Sequence, residues 1–511
     1  MTMSERILGI ELGSTRIKSV LIDETGKVLS TGAFQWENHL VDGHWSYTLE
    51  EVRLGLQASY KEMAQNYGEP LTRLDAIGIS GMMHGYLAFD ENWHLLVPFR
   101  TWRDTTTEQA SEILTRELKF NFPQRWSSTH YFQAILSKES SVGKVAHLQT
   151  LAGYVHYLLT GKNVLGPNDA SGMFPLSGRN YDQERLKLFH KVTGADISKL
   201  LPEVLLAGEY AGSLTKEGAL FLDPTGVLQE CCPLCPPEGD MGTGMIATNC
   251  VLPKTANVSA GTAGNITVVL EKPLKGYYKE IDVVFTPDGH PAAMVHANNC
   301  TSEINEWVGL FDEALNLFGV DVPKDELFRR LFEKSKESDG EVGKLVSYNY
   351  LAGEPLAGTT NGAPMVVRPA SGKLNLANFM QAQIYSVLAC LALGKDILKK
   401  EGVQIESITA HGGFYKTKEI GQVATSAIFD APVTVMSTAG EGGAWGIALL
   451  ARYLLHNDED LPSYLEKTFV SCERTTLMAV PNEKTKWSMF FENYKAYLPA
   501  EIAASKANSI E

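Results

Sequence analysis

RILGIELGSTRIKSVLID, residues 6–23, runs from an apolar strand through a glycine turn into a second strand, and TANVSAGTAGNITVVL, residues 255–270, repeats that plan. In the first segment Ile7 to Ile10 read as the incoming strand and Gly13-Ser14-Thr15 as the turn. Ile17, Val20 and Ile22 are the alternating apolar positions of the return. In the second, Val258 leads into Gly261-Thr262 and Ile266 to Leu270 leave as a strand. Both read as hairpins with small, hydroxyl-bearing tips. Glycine lets a backbone approach a ligand, and successive N–H groups beside a Ser or Thr hydroxyl cradle phosphate oxygens. A single glycine turn between strands is usually only a turn. Two at equivalent places read as halves of one phosphate-transfer site.

A chain of 511 residues is too long for one core. The repeated hairpin divides it into a domain at 1–250, a second at 251–455, and a tail at 456–511 with an aromatic, helix-like stretch around Trp487 that docks on a domain or on another subunit. Strands and helices alternate within each half: helix Leu49 to Tyr67 and strand Leu74 to Ser80 in the first, then helix Leu376 to Lys399, strand Ser407 to Ala410 and helix Gly443 to Leu455 in the second. That alternation is the mark of α/β layered domains. Phe379, Gln383, Val387 and Leu391 recur at helical spacing beside Met380, Ile384 and Leu388, a broad core-facing stripe.

Composition narrows the partners. With 44% hydrophobic and 21% charged residues the chain is an ordinary globular protein. A net charge of −15, with no long Lys/Arg stripe, argues against a nucleic-acid groove. The start lacks the basic and apolar signature of a secretion signal, and no run approaches the ~20 apolar residues of a membrane span. The expectation is therefore a cytoplasmic protein with no membrane partner. Seven cysteines fit reduced thiols better than a disulfide framework. Cys231-Cys232-Pro-Leu-Cys235 has one CxxC spacing but no convincing second ligand pair, although His290 and His296 could be recruited; a proline-stiffened loop is the preferred reading.

Two further segments can carry chemistry. Pro237-Glu238-Gly239-Asp240-Met241 presents a carboxylate on a glycine loop at the seam between the halves. Ala410-His411-Gly412-Gly413-Phe414 follows a strand, and its glycines allow a flat base or ribose to rest on backbone. Gly242-Thr-Gly244-Met-Ile-Ala247 only loosely fits a dinucleotide fingerprint and follows a proline-rich loop rather than a strand. There is no GxxxxGK[ST] and hence no P-loop.

Taken in order, IELGSTRIKSVLID, SGMMHG, TWRD, NDASGMF, EGDMG, VSAGTAG, HGGFYK and EGGAWGIALLA resemble the successive blocks of the FGGY family of carbohydrate kinases across nearly the whole chain. The resemblance implies the fold of actin and hexokinase, α/β with two ribonuclease-H-like domains and an inter-domain active-site cleft. It also implies ATP-dependent phosphorylation of a small sugar or polyol, with Mg²⁺. Ser80-Gly81-Met82-Met83-His84-Gly85 looks most like the xylulokinase block, which places Met83 and His84 against a ketose. Glycerol kinases carry an Arg-Glu pair there. Asp104, in Trp102-Arg103-Asp104, is expected to accept from sugar hydroxyls. Asp240 is expected to take the proton of the attacking hydroxyl. Gly13, Ser14, Thr15, Gly261 and Thr262 are expected at the phosphates, Gly412 and Gly413 at adenosine, and Glu11 beside the hydration shell of Mg²⁺.

This chain departs from the family blocks at three positions. Glu11 stands where Asp is usual, Met82 where Gln is usual, and Thr106 where Arg often ends the tryptophan block. A ketopentose such as D-xylulose, giving xylulose 5-phosphate, is the leading acceptor. Ribulose, L-xylulose or a glycerol-like polyol are the alternatives, and a non-catalytic sugar or nucleotide sensor stands further off. A homodimer is left open.

Overall fold

The computed structural model describes residues 5–437 and 442–508. The chain divides into two compact units, the first holding Met1–Val251, Tyr277–Ala292 and Glu441–Ser471, the second Leu252–Gly276, Ala293–Gly440 and Cys472–Glu511.

In the first unit the opening segment folds into antiparallel strands Ile7–Leu12 and Arg16–Ile22, with Ile7 opposite Ile22 and Leu12 opposite Ile17. The strand order across the sheet is Val28–Gln35, Arg16–Ile22, Ile7–Leu12, Ala76–Gly81, Glu238–Gly239. Ala76–Gly81 and Glu238–Gly239 run parallel to Ile7–Leu12. Every residue of Ala76–Gly81 is buried, as expected for a parallel strand covered on both faces. Helix Leu49–Tyr67 covers one side. It is started by a capping box in which the Thr48 hydroxyl accepts from the Glu51 amide (3.1 Å) and the Glu51 carboxylate accepts from the Thr48 amide (2.8 Å).

The second unit repeats this plan. Thr255–Ala260 and Gly264–Val269 form the antiparallel hairpin, Ser407–His411 runs parallel to Thr255–Ala260, and Val433–Met436 parallel to Ser407–His411. The duplication seen in the sequence is therefore a duplicated sheet order: a hairpin, then two parallel strands added on the side of its first strand. Helix Leu376–Lys400 is long and apolar enough to cross a membrane, but most of its surface is buried in this unit. Part of the cover comes from the C-terminal helix Pro481–Ala507, whose Trp487 and Phe490 pack on Tyr385 with ring centroids 5.3 and 5.4 Å apart.

Helix Gly442–Leu455, counted from sequence with residues 251–455, packs on strands Ile7–Leu12 and Ala76–Gly81 of the first unit. Its small residues make this possible. A Cβ on Gly9 would lie 2.0 Å from the Ala444 carbonyl, so strand and helix backbones touch where side chains would normally keep them apart. The loop with the CxxC spacing lies along the edge of Ala76–Gly81: the Ile77 amide donates to the Pro233 carbonyl (3.0 Å) and the Cys235 amide to the Ile77 carbonyl (3.2 Å). Cys232 and Cys235 are buried, which pushes both thiols up. Among the described residues no group of three or more His, Cys, Asp or Glu is arranged to hold a metal.

Candidate active site

The turn after Ile7–Leu12 is braced by aromatic donors that occupy its carbonyls. Trp36 Nε1 donates to Gly13 O at 2.7 Å and Tyr47 Oη to Ser14 O at 2.5 Å. Trp102 Nε1 donates to Ser14 Oγ at 3.0 Å, so the serine hydroxyl keeps its own proton to offer a ligand. Thr15 is exposed beside it.

Next to this strand, Ala76–Gly81 ends in Met82-Met83-His84. His84 has φ 71° although it is not glycine, and Gly85 follows with φ 90°. The pair is pinned by the Gly85 amide donating to Arg125 O (2.8 Å) and by Ser127 Oγ donating to Gly85 O (2.7 Å). Strain of this kind persists only where surrounding contacts enforce it. His84 is buried, with Nδ1 3.4 Å from Gly172 O. Burial and the nearby Arg125 guanidinium hold its imidazole well below the usual range. It is therefore neutral near pH 7, with one ring nitrogen a donor and the other an acceptor.

Asp240 begins helix Asp240–Ala247, directly after the two-residue strand Glu238–Gly239. Asp240 keeps exposed surface, yet the groups packed around its carboxyl desolvate it. That desolvation, followed by the charge of Glu11, pushes its carboxyl up to about 7 against the opposing pull of the Met241 and Met83 backbone amides. Met83 is packed on Gly239, where a Cβ would lie 2.3 Å from Met83 Cγ. The structure thus brings Asp240, Met83 and Glu11 together, while the His84 ring lies against Gly172. Glu11 Oε2 accepts from the Ala444 amide at 3.2 Å, and burial raises this carboxyl too. One carboxylate with an oxygen to spare, set against a second negative charge, suits a Mg²⁺ ion that retains most of its waters.

Asp104 has a different place from the one expected. It is 2% exposed, and both oxygens are engaged: Oδ2 with His44 Nδ1 at 2.5 Å, Oδ1 with the Thr106 amide and hydroxyl at 2.9 and 2.6 Å. Burial works against its charge, but the Thr106 bonds, His130 and His44 together hold it below the usual carboxylate range. Asp104 orients His44, whose ring is half-buried, rather than standing free for a sugar hydroxyl.

Within the second unit, the turn Gly261-Thr262 has its carbonyls taken by Thr301 Oγ1 (2.7 Å) and the Cys300 amide (3.0 Å). Gly412, at the end of the neighbouring parallel strand, has φ 108°, and a Cβ there would lie 2.3 Å from Ala260 O. Gly413 lines a cavity of about 660 Å³ together with Thr301, Asn305, Phe328, Phe332 and Lys416. Its volume and mixed aromatic and polar wall are those of a small-molecule site. Gly261, Gly412 and Gly413 thus converge at the ends of two adjacent strands.

Sequence reading missed Asn168, Asp169 and Glu238. The Asn168 carboxamide bridges Gly242 N (2.8 Å, accepting) and Phe285 O (2.7 Å, donating), while Asp169 and Glu238 are buried acids beneath Asp240. The block NDASGMF was visible, but nothing in a sequence separates a buried acid from a solvated one.

Family models match residues 6–227, "FGGY family of carbohydrate kinases, N-terminal domain", and residues 256–455, the C-terminal domain of the same family. The xylulose kinase of Haemophilus influenzae is 23% identical over 96% of this chain and 99% of its own. The gluconokinase of Bacillus subtilis is 24% identical over 88% of each. The solved structure of a ligand-bound xylulose kinase from Lactobacillus acidophilus superposes with TM-score 0.80 at 19% identity, covering 98% of this chain and 99% of that one. The fold is the two-domain actin and hexokinase type. With two domain models matched in order over most of its length, this chain belongs to the FGGY family of carbohydrate kinases, enzymes that use ATP to phosphorylate a sugar.

Proposed function

We propose that this sugar kinase phosphorylates a ketopentose, D-xylulose in the first instance, with Asp240 as the base. The observation that carries the reading is the placement of Asp240 at a helix start, against Met83, with its carboxyl raised to about 7. A base with that pKa is half-ionised near neutral pH and strong enough to receive a proton late in the reaction. The sugar hydroxyl oxygen bonds to the γ-phosphorus of ATP, the bond from that phosphorus to the bridging oxygen breaks, the proton passes to Asp240, and ADP leaves. His84 accepts from or donates to the ketose hydroxyls. Gly13, Ser14, Thr15, Gly261 and Thr262 bind phosphate oxygens through amides and hydroxyls, and Gly412 and Gly413 seat the adenosine beside the cavity. Glu11 would hold Mg²⁺, an ion that would neutralise charge building on the phosphates.

A gluconate acceptor is the second reading, favoured by the gluconokinase relative. It needs a cation for the substrate carboxylate, and Arg125, the cation that acts on His84, is already paired with Asp282. ADP release followed over D-xylulose, L-xylulose, ribulose, gluconate and glycerol tests both readings. D-xylulose should give the highest kcat/KM, and a larger value for gluconate would reverse the assignment. Asp240→Asn should lower kcat by about 10²–10⁴ with both KM values little changed.

A further inference from the structure

Beneath Asp240 lie two acids that the proposed reaction does not use. Glu238 is 1% exposed and Asp169 0%. The two residues are neighbours: the Asp169 backbone amide donates to Glu238 Oε2 at 3.2 Å, and Thr150 Oγ1 donates to Asp169 Oδ2 at 2.6 Å. The remaining oxygens, Asp169 Oδ1 and Glu238 Oε1, are buried and have no hydrogen-bond partner. Among the described residues no Lys, Arg or His forms an ion pair with either acid. The titratable groups around them are Asp240 on the following helix, Cys235 on the incoming segment and Tyr181 on the strand Asn180–Tyr181. None of these is a cation.

Two neighbouring buried carboxylates without a counter-ion cannot both stay ionised. We infer that Asp169 and Glu238 share one proton, and that the resulting acid–carboxylate pair is a positioning device that holds the Gly239-Asp240 turn for proton acceptance. A proton on one orphan oxygen supplies the donor the pair lacks. Burial, with the neighbouring negative charges, raises both carboxyls, Asp169 to about 8.

The pair holds helix Pro167–Ser171 on the segment that presents Asp240. The Gly166 amide donates to Pro237 O (2.8 Å), the Asp169 amide to Glu238, and the Gly242 amide to Asn168 Oδ1 (2.8 Å). A Cβ on Gly166 would lie 2.2 Å from the Glu238 carboxyl, so the two segments are in direct contact. When the pair takes a second negative charge, repulsion acts across this contact and loosens the turn under Asp240. The state with one charge is the active one.

The test has two arms. In difference infrared spectra of the wild type titrated upward, the carbonyl stretch of a protonated carboxylic acid should persist until about pH 8. Asp169→Asn and Glu238→Gln should each shift that ionisation to lower pH, because the opposing charge of the partner is gone. In the kinetic arm, wild-type kcat should fall above about pH 8, by about tenfold per pH unit as for a single ionisation, while both amide variants stay level there with KM for sugar and ATP unchanged. The kinetic arm rests on Asp240 being the base, whereas the infrared arm needs no activity, so failure of the two ideas can be told apart. No such band in the wild type, or a band unmoved by both variants, overturns the shared proton. An alkaline limb common to all three proteins overturns the positioning role.

Discussion

In the proposed reaction His84 and Asp240 would divide the work at the reacting hydroxyl by protonation state. His84 is kept neutral by burial and Arg125, so it recognises and does not titrate across the working range. His84→Ala should raise KM for the sugar by about 10–100-fold, the cost of one or two lost hydrogen bonds in a buried site, and leave KM for ATP within twofold or so. Asp240 must be ionised to take a proton, so kcat/KM should rise with pH through about 7 and be lost below it. The negative charge of Glu11 helps set that value, and Glu11→Gln should move the acid limb to lower pH; an unmoved limb would assign it to another group. At this scale Asp240 and the Met83-His84 pair stand out in the sequence because each lies in a glycine-flanked block, and the structure packs Met83 on Gly239. Asp104 read as a sugar acceptor because its block says nothing of His44, sixty positions away, which takes its carboxylate.

At the scale of elements, the two hairpins could be read from alternation and glycine alone, and helix Leu376–Lys400 from its stripe. Helix Gly442–Leu455 could be recognised as a helix, yet its place on the first unit could not, since adjacency in sequence points to the second. Its fit depends on backbone contact at Gly9. Gly9→Ala should cost about 1–3 kcal/mol through forced separation of strand and helix, read as a lower midpoint of denaturant unfolding. An unchanged midpoint would mean the contact is looser than the structure shows. The buried pair of Asp169 and Glu238 was invisible for a related reason: its partners come from segments that meet only when the sheet forms.

For the whole molecule, several acids carry raised pKa values in the folded state. Asp169 is raised to about 8, and Asp240 and Glu501 to about 7. A raised carboxyl binds its proton more tightly folded than unfolded, so its stabilising contribution is full at low pH and is lost as pH rises through the folded value. Above the pH of general acid unfolding, Tm should therefore decline between about pH 5 and pH 8. Both carboxylate oxygens of Glu501 are buried without partners, so Glu501→Gln should flatten part of that decline and stabilise the protein at pH 8 by on the order of 1 kcal/mol. A Tm that climbs over this range would contradict the burial of these acids.

The duplicated sheet order puts a glycine turn at the end of the same strand in each unit, and both domain models of the family match in chain order. What the structure adds is an acid, Asp240, raised to about 7 and placed beside Met83. The most direct test is ADP release measured with and without D-xylulose in the wild type and in Asp240→Asn. Release that depends on D-xylulose and falls by about 10²–10⁴ in the variant is the predicted result. Release independent of any sugar, or turnover retained by Asp240→Asn, would contradict it.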